Sequence, residues 1–168
     1  MSWDTYVHQI QNTFDAETNA WSVTNVAQFA CLYGHDGNAW AVSPGFQLAT
    51  YEFAQPQEDG STKNVLCNEH SALMKACGGD RKGGQECGIR ICNQKYMFLR
   101  ADKSSDGVAF ATLSRQGGGG ACVAKTDKVL LVGVWGKDTP MSNGKMQNTG
   151  DCEKNVISVA HTLKNAGY

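Results

Sequence analysis

The chain has 168 residues and a mass of 18.1 kDa, which is enough for one domain around a single core. With 41% hydrophobic and 18% charged residues it has the composition of a globule, which excludes a disordered tail. A formal net charge of -1 excludes a global basic field for nucleic acid, so any cationic site is a local patch.

Ser2 is a good N-cap, and Trp3, Val7, Ile10 and Phe14 follow at helical spacing, which predicts an opening amphipathic helix. Met1-Ser2-Trp3-Asp4 has neither the basic start nor the apolar run of an export signal. Val26 to Tyr33 and Asn38 to Val42 read as strands around Gly34-His35-Asp36-Gly37, where Asp-Gly signals a hairpin. From Ala49 to Cys67, moderately apolar flanks around Asp59-Gly60 predict a protruding hairpin. Asn68-Glu69 starts a short helix through Cys77, with Leu73 and Cys77 on one face, and Gly78-Gly79 ends it. The polar run Gly78 to Gly88 reads as an exposed loop.

Four more strands are predicted at Tyr96 to Arg100, Val108 to Leu113, Ala121 to Lys125 and Val129 to Trp135. Thr126-Asp127-Lys128 joins the last two as a hairpin. The run Val129 to Trp135 is the longest apolar stretch and is far too short to cross a bilayer. A closing helix follows, with Thr149 as cap, Asp151 and Glu153 in its first turn, and a stripe of Val156, Ile157, Ala160 and Leu163. Sequential short connections favour an antiparallel sheet, with the terminal helices on one face. The fold class is therefore mixed α/β, of the α+β type, as one domain over residues 1–168.

Catalytic signals are weak. Gly119-Gly120-Ala121-Cys122-Val123-Ala124-Lys125-Thr126 approximates a phosphate-binding loop, but Ala124 replaces its second glycine. A strand follows where the phosphate site needs a helix N-terminus, so the stretch reads as a glycine-rich turn entering a strand. Cys67, His70, Cys77, Cys87 and Cys92 lack the close ligand pairs of a zinc site. All seven cysteines read as free thiols of a reducing cytosol, with no metal and no cofactor. His35-Asp36 is explained by turn geometry, and a cysteine paired with His161 has no local support. Trp3 and Tyr6, three apart on a helix, suit either a core stripe or an exposed stacking surface.

Taken in order, several segments resemble profilin. The start Met1-Ser2-Trp3-Asp4-Thr5-Tyr6-Val7 matches that family's MSWxxYV, and Gly34-His35-Asp36-Gly37-Asn38-Ala39-Trp40-Ala41 matches its GxDGxxWA hairpin. Gln94-Lys95-Tyr96-Met97 through Arg100, Lys125-Thr126-Asp127-Lys128 and the ending Asn165-Ala166-Gly167-Tyr168 also fit. The resemblance implies a central antiparallel sheet with N- and C-terminal helices packed together on one face. It implies two partners: monomeric actin, and proline-rich proteins such as formins. By position, the polyproline groove would use Trp3, Tyr6, Trp40 and Tyr168, with Thr162 standing where the family usually has Tyr or His. His161 would substitute only if the helix register shifted. The actin face would use Lys95, Phe98, Arg100, Arg115, Gly119, Gly120, Gly150, Glu153 and Lys154. Anionic phosphoinositides would be held weakly by Arg81, Lys82, Arg115 and Lys154. The long stretch Ala49 to Gly88 resembles profilins of alveolate protists, whose extra hairpin arm touches actin, so Gln55 to Lys63 would be such an arm. The expected role is regulation of actin assembly in the cytoplasm, without catalysis. The alternative is an adaptor for proline-rich segments that has lost actin, and an enzyme ranks third.

Overall fold

The computed structural model describes residues 2–15 and 19–168, with the backbone alone at residues 14, 15 and 20–22. Helix α1 spans Trp3–Gln11, and Ser2 caps it by accepting from the Asp4 backbone N–H at 3.2 Å. Val7 and Ile10 are its buried residues. The helix stops before Phe14, which instead belongs to strand β1 (Thr13–Asp15), paired with β2 (Ala20–Ser22). Side chains satisfy the carbonyls at its end. Asn12 Nδ2 donates to His8 O at 3.1 Å, and Asn155 Nδ2 donates to Ile10 O and Asn12 O at 3.1 Å. The Phe14 side chain and Met1 lie outside the described residues.

Seven strands form the main antiparallel sheet in the order β4-β3-β11-β10-β9-β8-β7. They are β3 (Phe29–Gly34), β4 (Ala39–Val42), β7 (Ile89–Ile91), β8 (Gln94–Lys103), β9 (Ala109–Arg115), β10 (Gly120–Lys125) and β11 (Val129–Trp135). Between β3 and β4 the Asp36 carboxylate accepts from the Asn38 N–H at 3.0 Å, and Gly37 takes φ +86, which few other residues tolerate. Gly119 to Thr126 leads into a strand, not into a helix. Strand β8 is longer than the expected Tyr96 to Arg100. It carries a bulge between Phe98 and Arg100 that sequence periodicity does not show.

Helix α3 spans Thr149–Asn165. Its cap is Asn148, not Thr149: the extended Asn148 accepts from the Asp151 N–H at 3.0 Å, leaving Thr149 as the first helical residue. Helices α1 and α3 share one face of the sheet, over a core that includes Leu32, Phe110, Leu131, Val156 and Leu163. Ile157 of the expected stripe is only half-buried, at the flank of that core, whereas Cys152, Asn155 and Val159 are buried. Gly133 sets the approach of both helices, because an added Cβ would lie 2.7 Å from Val156 and 3.2 Å from Ile10.

The opposite face holds a second core with Tyr33, Leu73, Ile89, Leu113, Val123 and Leu130, covered by helix α2 (Glu69–Ala76). Asn68 caps α2, accepting from the Ser71 N–H at 3.0 Å, and Cys77 ends it. Strands β5 (Thr50–Pro56) and β6 (Thr62–Asn68) form a separate hairpin around the Gly60 turn. Its inner side packs Tyr51 and Phe53 with Val65, Cys67 and Cys87, and Arg90 lies over the Phe53 ring at 4.2 Å. The fully buried Glu69 joins these parts. Its carboxylate accepts from Ala49 N, Tyr51 Oη, Cys92 N and Asn93 N at 2.8–3.0 Å. The loop from Gly78 to Gly88 is exposed in most positions, yet Gly83 and Cys87 are buried against the rest of the chain. Among the described residues, no helix is long and apolar enough to cross a membrane.

Candidate functional site: an aromatic cluster and a sheet surface

Trp3 stands at the centre of four rings. Its centroid is 4.6 Å from Trp40, 5.1 Å from Tyr168 in edge-on geometry, and 5.6 Å from Tyr6. Three pieces of local chemistry place these four rings. The Ser2 cap starts α1 so that Trp3 and Tyr6 share a face, one turn apart. Gly34 leaves room for the Trp40 indole, since a Cβ there would lie 2.9 Å from Nε1. Past the end of α3, Gly167 adopts φ +92 and the Tyr168 N–H donates back to Leu163 O at 3.0 Å, folding the last ring onto Trp3. Lys128, in the β10–β11 turn, places its ammonium 5.6 Å from the centre of the Tyr168 ring.

Trp3, Tyr6 and Trp40 touch the edge of the core but remain half-exposed, and Tyr168 is exposed. Trp3, Tyr6 and Trp40 thus belong to both settings, packed on the core edge while part of each side chain stays accessible. Thr162 adds no ring. It is exposed on α3, donates to its own Ser158 carbonyl at 3.1 Å, and lines a cleft with Gln9 and Asn12. His161 does not replace it: Nδ1 lies 3.5 Å from the Asp106 carboxylate, an ion-pair distance without a formed hydrogen bond, and Nε2 meets Asn165.

The second group of candidate residues is divided by the sheet. On the α3 side, the β8 bulge turns Arg100 toward the helix, where its guanidinium pairs with Glu153 at 2.6 Å and lies over Phe110. Thr112 donates to the other Glu153 oxygen at 3.0 Å, while Gly150 and Lys154 stay exposed beside it. On the α2 side, Lys95 and Arg115 line a groove of about 790 Å³ with Phe29, Phe46 and Tyr96. Phe98 is half-buried there under Arg81. Gly119 and Gly120 are buried, and their close approach is to the chain itself, because a Cβ on Gly119 would meet Arg115 and the Trp135 carbonyl at 2.6 Å. Sequence reading gave no site role to Lys128, which it placed in a hairpin turn, nor to Met97 and Leu99, which are 61% and 52% exposed on β8. Met97 and Leu99 flank Phe98 in one strand, and a run of large apolar residues too dense for strict alternation was the available signal of an apolar surface there.

The five residues considered for zinc do not gather at one point. Cys67 and Cys87 share the hairpin core, Cys77 bonds toward Val123 O, His70 meets Gly34 O at 2.8 Å, and Cys92 meets Gln47 O. All seven cysteines are free thiols. Burial pushes Cys77 and Cys152 up to about 12, which keeps them as neutral packing groups.

An antiparallel sheet with both terminal helices on one face and open aromatic rings at their shared end defines a small α+β ligand-binding module. The profilin family model matches residues 1–168, and the chain belongs to the profilin family. It is 32% identical to the profilin of Tetrahymena pyriformis over 168 residues, covering 99% of this chain and 98% of that one. Profilin IB of Acanthamoeba castellanii has the same fold, with a TM-score of 0.61 at 24% identity over 99% of this chain and all of that one. So does mouse profilin IIa, solved in complex with a double repeat from the FH1 domain of mDia1, with a TM-score of 0.58 at 19% identity over the full length of both.

Proposed function

We propose that this chain binds monomeric actin and proline-rich peptides on separate surfaces, and so regulates actin filament assembly. The observation that carries the peptide half is the clustering of Trp3, Tyr6, Trp40 and Tyr168, three half-exposed rings and one exposed ring in mutual contact. A polyproline II ligand is already extended and carries no internal hydrogen bonds, so flat rings bind it at little ordering cost. The actin half rests on membership of the family along all 168 residues, including Lys95 to Arg100 and Gly150 to Lys154. That match disfavours an adaptor that has lost actin. Lys95, Phe98, Arg100, Arg115, Gly150, Glu153 and Lys154 are the proposed actin residues, with the buried Gly119 and Gly120 shaping the strand beneath them, and the β5–β6 hairpin is proposed as an accessory arm on that partner.

The role is that of a binding regulator in the cytoplasm, not an enzyme, and seven reduced thiols suit that compartment. Arg81 lies over Phe98 on the α2 side while Lys154 is on α3 across the sheet, so these cations form no single patch, and attraction to anionic phosphoinositide membranes is weak and disappears in high salt. The test is a pair of titrations, of actin monomers and of decaproline, followed by tryptophan fluorescence for the peptide. Saturable binding of both supports the reading. Binding of neither sinks it.

A further inference from the structure

The seven free thiols are unevenly placed. Cys31, Cys77, Cys122 and Cys152 are buried in the two cores on either face of the main sheet, and Cys92 is exposed. Cys67 and Cys87 instead share the small third core beneath the β5–β6 hairpin. Cys67 stands on β6, in a hairpin with no strand pairing to the main sheet. Cys87 belongs to the loop from Gly78 to Gly88, which Gly83 seats so closely on α2 that a Cβ there would lie 2.5 Å from Ala72. Gln85 draws loop and hairpin together at this point. Its Nε2 donates to the Cys67 sulfur at 3.5 Å and to Gly88 O at 2.9 Å, while its Oε1 accepts from the Asn68 N–H at 3.0 Å. Lys63 and Glu86 add an exposed ion pair of 3.2 Å across the same seam. Held between Gln85 and Gly88, the Cys87 thiol comes within side-chain hydrogen-bonding reach of Cys67.

We propose that Cys67 and Cys87 are a redox modification site, where a hydroperoxide joins them in a reversible disulfide that fastens the β5–β6 hairpin to the loop on α2. In the closed state both thiols are shielded. Burial, and after it the Cys67 sulfur, push the Cys87 thiol up to about 12, so almost no thiolate is present. Reaction waits on local opening of the hairpin, which parts only the third core and its seam and leaves the main sheet intact. Cys87 is then the attacking group, because Arg90 lies close enough to favour its thiolate. Its sulfur bonds to one peroxide oxygen, the O–O bond breaks, and water leaves with the thiol proton, giving a sulfenic acid. As the hairpin closes, the Cys67 sulfur bonds to the Cys87 sulfur, the S–O bond breaks, and a second water carries off the Cys67 proton. The two thiols lose two hydrogens, and the peroxide is reduced to two waters. A thiol reductant reverses the bond by exchange. The crosslink closes a loop of about twenty residues and so removes open states of the hairpin. This chemistry goes beyond the binding function proposed above and holds whether or not the hairpin touches actin.

The experiment treats the folded, reduced chain with hydrogen peroxide, blocks the remaining thiols by alkylation, and maps the cysteines by mass spectrometry. Cys92→Ser is run beside wild type to remove the exposed thiol. In both, the peptides carrying Cys67 and Cys87 should be recovered joined, and dithiothreitol should separate them. Cys122 and Cys152, which share a core, should remain thiols. In the oxidised protein the amides from Thr62 to Asn68 should gain about tenfold protection from hydrogen exchange, since the hairpin opens less often. Cys67→Ser should stop at the sulfenic acid, which dimedone labels at Cys87, whereas Cys87→Ser should leave Cys67 a thiol. Recovery of both Cys67 and Cys87 as thiols at a peroxide dose that oxidises Cys92 overturns the proposal. So does a crosslink that forms only in urea or that joins either residue to a different cysteine. The wild-type map decides the matter even where a serine variant folds poorly.

Discussion

Trp3 is in contact with each of the other three rings, which makes it the residue whose loss should be felt most. Removing a central stacked aromatic from an interface costs about 1–3 kcal/mol of binding. Trp3→Ala should therefore nearly abolish an already modest decaproline affinity while actin binding survives, as paired titrations will show. On the other surface, charge reversal at exposed Lys95 should weaken actin binding without a change in thermal midpoint. Arg100→Glu differs, because it sets a carboxylate against Glu153 in place of an ion pair 2.6 Å long. It should weaken actin binding and also lower stability, by below about 1 kcal/mol for a pair with half-exposed Arg100. If both variants bind actin as wild type does, the proposed face is wrong.

At the level of elements, the most constrained contact is where α1 and α3 meet the sheet at Gly133. Gly133→Ala puts a methyl group 2.7 Å from Val156 and should destabilise the fold by about 1–3 kcal/mol, measurable by urea unfolding. The other constrained point is Glu69. Glu69→Gln turns an acceptor of four hydrogen bonds into a group with an N–H₂ facing buried donors, at a cost of about 2–5 kcal/mol. Hydrogen exchange should then show the β5–β6 hairpin and the β7–β8 turn opening together. Independent protection of the two would mean that Glu69 does not couple them. The terminal helices and the β3–β4 and β10–β11 hairpins were legible in the sequence, because caps, turn residues and apolar periodicity are local signals. The aromatic set was legible only through family resemblance, since Trp3, Tyr6, Trp40 and Tyr168 come from three separate segments. The β8 bulge and the short strands β1, β2 and β7 were not legible: a three-residue strand has too little periodicity and is fixed by its neighbours. Nor does a glutamate at a helix start announce that it is fully buried.

For the molecule as a whole, the thiols report the integrity of both cores. Six of the seven are buried and Cys92 is exposed, so a thiol reagent should modify one cysteine quickly in the native protein and seven after unfolding. Buried Cys77 and Cys152 have pKa values raised to about 12 by desolvation, so the folded state holds protons that the unfolded state releases. Their contribution to stability is complete below about pH 9 and is lost as pH rises toward 12, which should appear as an alkaline fall in the thermal midpoint. The proposed actin residues that lie on α3, Gly150, Glu153 and Lys154, sit at its start, and Tyr168 lies past the other end of this helix of 17 residues or about 25 Å, so actin and a proline-rich ligand need not compete. The direct test is sedimentation of the protein with monomeric actin, alone and with saturating decaproline. A one-to-one complex with actin that retains the peptide is the predicted result, and no complex with actin, or its displacement by decaproline, would contradict the account.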